Sequence, residues 1–290
     1  MLSVMPGEHL HRRHFISSLG TAAAFASLGH ASLSWSSEKK SSHSDYGGFP
    51  LGMQTYSLRN FDTYTAIRHM HALGVHYAEF TQKHLDVGAP PELIDKVRDE
   101  LSKVGIKATA HGVNRFSADH DENKKLFQFA QQAGYRNLTA SPSPESFGSL
   151  EKLVDEFDIR IAIHNHGPGS DYDKLEDVTK PLKGKHPLIG ACMDTGHFLR
   201  SHVDPIQAVY ELGPRLFALH VKDVAGDEPE APDVILGTGR LDLTALFRAL
   251  RDVQFPEDGT LSVEYESNPQ DPMEDIKQSL ANSKAAIAKI

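Results

Sequence analysis

The sequence predicts an α/β fold over residues 49–290, specifically a (β/α)8 TIM barrel. Eight short β-rich runs alternate with segments of helical periodicity, and a single barrel of this kind needs roughly 250 residues. This alternation leaves two architectures open, the closed barrel and an open doubly wound sheet. No Gly-x-Gly-x-x-Gly motif follows the first run, which weakens the dinucleotide-binding form of the open sheet. Polar side chains end many different runs, which favours the barrel.

The predicted strands are β-branched or aromatic-rich runs bounded by turn residues. They span Leu51–Ser57, Val75–Thr81, Ile106–His111, Asn137–Ser141, Ile159–Asn165, Leu188–Asp194, Leu216–Val221 and Leu261–Glu266. The clearest predicted helix is PELIDKVRDELSKVG, which places Ile94 and Val97 on one apolar face and ends at Gly105. Another begins after Asp242, a good N-cap, with Leu246 in its apolar stripe.

The composition is that of an ordinary globular protein. Among 290 residues, 39% are hydrophobic and 24% are charged, which excludes collagen-like and disordered classes. The formal net charge of −9 argues against nucleic acid as a partner, because phosphate binding uses a surplus of Lys and Arg. Cys192 is the one cysteine, so no intrachain disulfide is possible.

The first 31 residues are predicted to be an export signal peptide. Arg12 and Arg13 precede the uncharged run FISSLGTAAAFASL and a small-residue cleavage site near Ala31, a pattern similar to the bacterial twin-arginine signal. The alternative is a cytosolic tail with a chance arginine pair. The apolar run is too short for a permanent membrane anchor. We therefore expect a flexible linker over residues 32–48 and a protein exported to the bacterial periplasm.

The ends of four predicted strands carry side chains that can bind a metal ion. The candidates are His164 and His166 on the fifth strand, Asp194 on the sixth, His220 on the seventh, and Glu264 and Glu266 on the eighth. Because side chains alternate along a strand, residues two apart share a face. A mixed set of two imidazoles and two carboxylates suits one divalent ion such as Mn²⁺, Co²⁺ or Zn²⁺.

Each of these strand ends also has a simpler explanation. His164 and His166 can be one core and one solvated imidazole, Asp194 can be a helix N-cap, and Glu264 can belong to a salt-bridged rim. The segment His220-Val221-Lys222-Asp223 can simply end a strand. The four ends together predict a shared metal site. Cys192 faces the same way as Asp194 and is either a thiol ligand or a small apolar filler.

Several segments of the chain resemble the xylose isomerase-like barrel superfamily. They are LGMQTYSLRNF, GVHYAEFT, IAIHNHG, CMDTGHF, LFALHVKD, LGTGRLD and LSVEYES, in the family's order between about residues 50 and 268. The superfamily includes sugar phosphate isomerases/epimerases, ketose 3-epimerases, inosose dehydratases and the endonuclease IV barrel. Its members share a scaffold across several reactions, so the resemblance does not fix the substrate.

The resemblance implies a ligand set with one departure from the family pattern. Ketose epimerases of this superfamily bind one metal through a Glu, an Asp, a His and a Glu on the fifth to eighth strands. The last three match Asp194, His220 and Glu264, whereas His164 stands where the first Glu is expected. Those epimerases use their two glutamates as acid and base, so that mechanism is in question here. The His-x-His pattern is more similar to the superfamily's dehydratases and exported members.

The resulting hypothesis is a sugar isomerase or epimerase that acts on an unphosphorylated carbohydrate through a metal-stabilised enediolate. The expected metal ligands are His164, Asp194, His220 and Glu264. The expected catalytic groups are Glu264, His164, Lys222 and Glu266. The expected substrate contacts are His166, His197, Glu79 and His111. A buried salt bridge is the alternative role for Glu79. The Gly237-Thr238-Gly239 segment is either a flexible loop over the site or a plain turn.

Two other functions remain open from the sequence. One is a metal-dependent lyase or dehydratase acting on a keto-glycoside or keto-polyol. The other is a non-catalytic exported barrel that binds carbohydrate. The net negative charge disfavours a DNA-repair endonuclease. Because members of this superfamily often pair, we also expect a homodimer.

Overall fold

The computed structural model describes residues 46–290, in which eight parallel strands close into a barrel. The barrel strands are β1 (Leu51–Gln54), β2 (Tyr77–Phe80), β3 (Lys107–Phe116), β4 (Asn137–Pro142), β5 (Arg160–His164), β6 (Ile189–Asp194), β7 (Leu216–Val221) and β10 (Thr260–Val263). Each strand pairs with its neighbour in sequence, and β10 closes the ring against β1 with Leu51 opposite Leu261. The predicted (β/α)8 barrel is confirmed. The predicted signal peptide and nearly all of the predicted linker lie outside the described residues.

The helices surround this barrel. They are α1 (Thr63–Ala72), α2 (Pro91–Lys103), α3 (His120–Ala133), α4 (Phe147–Phe157), α5 (Leu175–Leu182), α6 (Thr195–Arg200), α7 (Pro205–Leu212), α8 (Leu243–Asp252) and α9 (Met273–Ile287). Asp62, Asp119 and Asp242 cap the first turns of α1, α3 and α8 with their carboxylates. Between residues 46 and 290, no helix has the length and apolar character needed to cross a membrane.

The strands pack closely because small residues lie where two backbones approach. A Cβ atom on Gly52 would lie 2.0 Å from the carbonyl oxygen of Tyr77, and one on Gly190 would lie 2.2 Å from that of Arg215. Neither site accepts a larger side chain without moving the backbone of a neighbour. Because all eight strands of the closed barrel are parallel, their carboxyl ends lie at one face.

Two features differ from the sequence expectations. Strand β3 continues past its predicted end to Phe116, with an irregular register between His111 and Asn114. A two-stranded antiparallel ribbon, formed by β8 (Asp223–Val224) and β9 (Asp233–Val234), lies between the last two barrel strands in sequence. The β3 extension adds residues to the carboxyl face of the barrel that the sequence pattern did not identify.

Candidate metal centre and active site

Four barrel strands bring one buried donor group each to a common point. One donor atom from each of His164, Asp194, His220 and Glu264 lies within 4.8 Å of the others, and all four residues are buried. The first three residues end or nearly end β5, β6 and β7, and Glu264 directly follows β10. Nitrogen and carboxylate donors at this spacing form a suitable shell for a divalent ion.

Asp194 is held in place from two sides. The Asn165 side chain accepts a hydrogen bond from the Asp194 backbone N–H at 2.7 Å and donates one to its carbonyl oxygen at 3.1 Å. The Oδ1 atom accepts from the backbone N–H of His197 at 2.8 Å, so Asp194 does cap helix α6. Its Oδ2 atom is buried and accepts no hydrogen bond. It lies 3.2 Å from the Lys222 ammonium, and a buried carboxylate oxygen that accepts no hydrogen bond inside the cluster fits a bound cation.

His220 is oriented by Glu79, which lies in the barrel interior. The Nε2 atom of His220 is 2.9 Å from Oε2 of Glu79. The same carboxylate accepts hydrogen bonds from the hydroxyls of Thr139 at 2.6 Å and Ser262 at 3.0 Å. The Nδ1 atom of His220 therefore faces the cluster, 3.1 Å from Oε2 of Glu264. A carboxylate that fixes the far nitrogen of a ligating imidazole is a common support for metal sites.

Lys222 places a buried ammonium group among three carboxylates. Its Nζ atom lies 2.6 Å from Glu266 Oε1, 3.0 Å from Glu264 Oε2 and 3.2 Å from Asp194 Oδ2. The side chain is 1% exposed. Gly196 makes room for it, because a Cβ at that position would lie 2.7 Å from the Lys222 Cγ. The ammonium group is therefore fixed beside the cluster.

The charges in the cluster are strongly interdependent. Burial opposes ionisation of Asp194 and Glu264, but the Lys222 ammonium and the neighbouring imidazoles together outweigh it and hold the pKa of both carboxyls below the usual range. Burial also opposes the charge on Lys222, yet these carboxylates raise the pKa of its amine well above the usual value. Burial and the rings of His220 and His166 hold the pKa of His164 well below its usual value. His164 is therefore neutral at pH 7, the form in which an imidazole binds metal.

A cavity of about 490 Å³ opens above this cluster. Seven of the residues expected at the site line it: His164, His166, His197, His220, Lys222, Glu264 and Glu266. The structure adds others that the sequence analysis missed: Gln54, Tyr56, Thr81, Gln82, Lys83, Gly112 and Val113. Gln54 ends β1, and the residues from Tyr56 to Lys83 in this list follow β1 or β2, where polar residues at strand ends are also expected to face the site. Gly112 and Val113 lie beyond the predicted end of β3, where no sequence signal marked them.

The sequence matches the family model "Xylose isomerase-like TIM barrel" over residues 67–286. The chain belongs to this family. An uncharacterised protein from Parabacteroides distasonis ATCC 8503 is 30% identical, with a TM-score of 0.65 over 81% of this chain and 97% of that one. The 3-keto-D-glucoside 4-epimerase of E. coli shares the fold at 16% identity, with a TM-score of 0.66 over 82% of this chain and 99% of that one.

A curated relative of this xylose isomerase-like barrel is the inosose dehydratase of Bacillus anthracis (strain CDC 684 / NRRL 3495). It is 32% identical over 91 residues, which are 30% of this chain and 28% of the relative. The aligned segment thus spans less than a third of that relative's length. Solved structures of the fold include epimerases, whereas the matched curated sequences are dehydratases.

Two residues expected to contact substrate do not line the cavity of this xylose isomerase-like barrel. Glu79 is fully buried against His220, which corresponds to the salt-bridge alternative. His111 points out of the barrel, where its ring packs 5.0 Å from that of Phe129. The cause is a one-residue register shift between β2 and β3, which pairs Ala78 with Ala108 but Glu79 with Ala110. Such a bulge interrupts the alternation of side chains and turns His111 outward.

The two remaining alternatives concern Cys192 and the glycine loop. Cys192 is buried, with its Sγ atom within 4.8 Å of donor atoms of His164 and His220. Burial raises the pKa of its thiol to about 12, so it is protonated at neutral pH and acts as an apolar filler unless a metal displaces the proton.

The segment Gly237–Gly239 does not line the cavity. Asp223 accepts the backbone N–H groups of both glycines at 2.9 Å, so the segment is an anchored turn.

Proposed function

We propose that this protein is a divalent-metal-dependent sugar isomerase or epimerase. The observation that carries the proposal is the convergence of His164, Asp194, His220 and Glu264, with the Asp194 Oδ2 atom, which accepts no hydrogen bond, inside the cluster. These four residues would hold the ion, and their mixed donor set suits Mn²⁺, Co²⁺ or Zn²⁺. Such an ion polarises a sugar carbonyl and stabilises the negative charge that forms on its oxygen when the adjacent C–H proton is removed.

The side chains around the cavity supply the rest of the proposed chemistry. Glu264 stays ionised because Lys222 and His220 together hold its pKa below the usual range against the effect of burial, so it is in the form that accepts a proton. Lys222 donates to the negative charge that develops on the substrate. Burial lowers the pKa of His166, and the neutral ring provides a second proton carrier at the cavity wall. Glu266, hydrogen-bonded to Lys222, completes the set of acid and base groups.

An unphosphorylated carbohydrate is the proposed substrate. No arginine lines the cavity among residues 46–290, although arginine is the usual bidentate partner of a phosphate group. The predicted export signal also supports this, because phosphorylated sugars are rare outside the cytoplasm. We propose accordingly that the enzyme works in the bacterial periplasm.

A metal-dependent lyase or dehydratase is the second candidate. The similarity to inosose dehydratase favours it, as does His164 at the position where family epimerases carry a glutamate. Removal of the same α-proton begins this reaction. The electron pair then expels a β-substituent, which leaves with its bonding electrons and takes up a proton, and an unsaturated product remains.

Solvent-hydrogen exchange distinguishes these candidates. The purified, metal-loaded protein is incubated in D₂O with a panel of keto-sugars and 3-keto-glycosides and followed by NMR and mass spectrometry. Deuterium at the α-carbon of an intact or epimerised sugar is the result expected for an isomerase or epimerase. A released β-substituent with an unsaturated product would establish the lyase. Metal retention without exchange on any sugar would indicate a non-catalytic carbohydrate-binding barrel and contradict both.

A further inference from the structure

A second cavity of about 520 Å³ adjoins the cavity above the metal cluster. The two cavities share two wall residues, Val113 and His166. The outer cavity is formed by the end of β3, the end of β4 and the segment 169–172 that follows β5. Each volume is within the range of a small-ligand site, so the two together exceed the space that a single sugar ring requires.

The outer cavity is lined by polar groups without protein partners. Arg115 and Asp171 are exposed there, and neither forms an ion pair or side-chain hydrogen bond within the part of the chain that the structure describes. The hydroxyl of Ser170, another wall residue, is buried without a hydrogen-bond partner. The exposed cation and carboxylate offer both donors and acceptors. This combination matches the hydroxyl groups of a sugar, each of which donates and accepts.

The walls of the outer cavity are fixed by hydrogen bonds from buried residues. Asn114 donates to the carbonyl oxygens of His111 at 2.8 Å and Thr139 at 3.2 Å, which holds the irregular part of β3. The Tyr172 hydroxyl donates to the carbonyl oxygen of Pro142 at 2.6 Å, and its own carbonyl accepts the N–H of His166 at 3.0 Å. The cavity is therefore formed before any ligand binds, which reduces the entropy cost of binding.

We infer that the outer cavity binds the second unit of a glycoside whose first unit lies at the metal centre. This inference rests on the proposed function for the placement of the first unit. The substrate class is thereby a disaccharide or a comparable glycoside with a second polyhydroxylated ring, rather than a free monosaccharide. The linkage between the two units lies beside Val113 and His166, the residues that the cavities share.

Calorimetry on the metal-loaded protein tests the inference without turnover. The probes are methyl β-D-glucopyranoside against cellobiose, methyl α-D-glucopyranoside against maltose, and methyl β-D-galactopyranoside against lactose. At least one disaccharide is expected to bind about tenfold tighter than its methyl glycoside, a difference of about 1.4 kcal/mol. Equal affinities within every pair, or no binding by any disaccharide, would overturn the inference.

Variants locate the effect in the outer cavity. The Arg115→Ala/Asp171→Ala double variant is expected to lose the preference for the disaccharide. The matched control is Arg98→Ala/Asp95→Ala, which removes an exposed ion pair on α2 and should keep the preference. If the double variant does not fold, Arg115→Gln alone must reduce the preference. Retention of the full preference in a folded Arg115 variant counts against the assignment.

The two proposals fail separately. A disaccharide preference that depends on Arg115, found in a protein without solvent exchange on any sugar, would retain the outer cavity and reject the enzymatic function. Solvent exchange on monosaccharides, with no preference for disaccharides, would support the enzymatic function and reject the assignment of the outer cavity.

Discussion

The Oε2 atom of Glu79 lies 2.9 Å from Nε2 of His220, and this contact determines which ring nitrogen faces the metal cluster. Both side chains are almost completely buried, so water does not compete for the contact. A carboxylate accepts but does not donate, so Nε2 of His220 carries the proton. Nδ1 is left as the ligating atom, and binding of an ion displaces any proton from it.

Replacement of Glu79 by Gln is expected to lower the affinity for a divalent ion by about 10–100-fold. The amide is uncharged and can present its NH₂ group to the His220 ring, which then places its proton on Nδ1. Competition with a chelator measures the affinity, and ¹⁵N NMR of the imidazole reports the tautomer. Glu92→Gln, at an exposed position in the first turn of α2, is the control. Unchanged affinity with an unchanged tautomer would refute the positioning role of Glu79.

Removal of a proposed ligand is expected to empty the metal site. Elemental analysis of the purified protein should find about one divalent ion per chain, as a single four-ligand site requires. Asp194→Asn and His220→Ala should lose most of it, because each removes a donor from a shell of four. Asp252→Asn, which alters an exposed partner of the Tyr210 hydroxyl, should keep it. Full metal content in both ligand variants would exclude this cluster as the site.

Substitution of Lys222 by Met is expected to separate metal binding from catalysis. Solvent exchange should fall by about 10²–10³-fold, because the fixed donor to the developing charge is lost. Metal affinity should stay the same or increase, since the ammonium and the ion repel each other beside the same carboxylates. Lys103→Met, on the exposed face of α2, is the control. Loss of metal, or an unchanged exchange rate, would show that Lys222 does not have this role.

His111 makes the stability of the protein sensitive to acid. Burial lowers the pKa of its ring, and this effect outweighs the opposite effect of the hydrogen-bond acceptors on Leu85 and Asn114, which favour the protonated ring. The unfolded chain therefore binds a proton at His111 near pH 6.5 while the folded chain does not, and stability falls as the pH drops from about 6.5 toward the folded pKa. Relative to wild type, His111→Gln should reduce the slope of the unfolding free energy against pH by up to about 1.4 kcal/mol per pH unit. The exposed His71→Gln is the control.

Urea unfolding of both variants between pH 5 and 8 measures this difference. An identical pH dependence in wild type and His111→Gln would mean that His111 carries the same charge in the folded and unfolded chains.

The alternation of β-rich and amphipathic segments was enough to predict the barrel, because each strand and helix shows its own periodicity along the chain. Residues two apart in an extended segment share a face, and for that reason the sequence could pair His164 with His166 at the end of β5 and His220 with Lys222 at the end of β7. The structure places all four on one cavity wall. Local periodicity is sufficient to predict which side chains share a face wherever a strand is regular up to its end.

The tertiary structure alone decided the roles of Glu79 and His111. Both lie at or near the ends of predicted strands, yet Glu79 contacts His220 across the barrel and His111 faces the helices. Closure of the barrel brings Glu79 against His220, which is far away in sequence. The bulge between β2 and β3 turns His111 to the opposite face of its strand. The outer cavity depends on the same irregular strand, since Arg115 lies beyond the point where the pattern of β3 could be read. Periodicity describes a strand by itself, whereas register and closure depend on its neighbours.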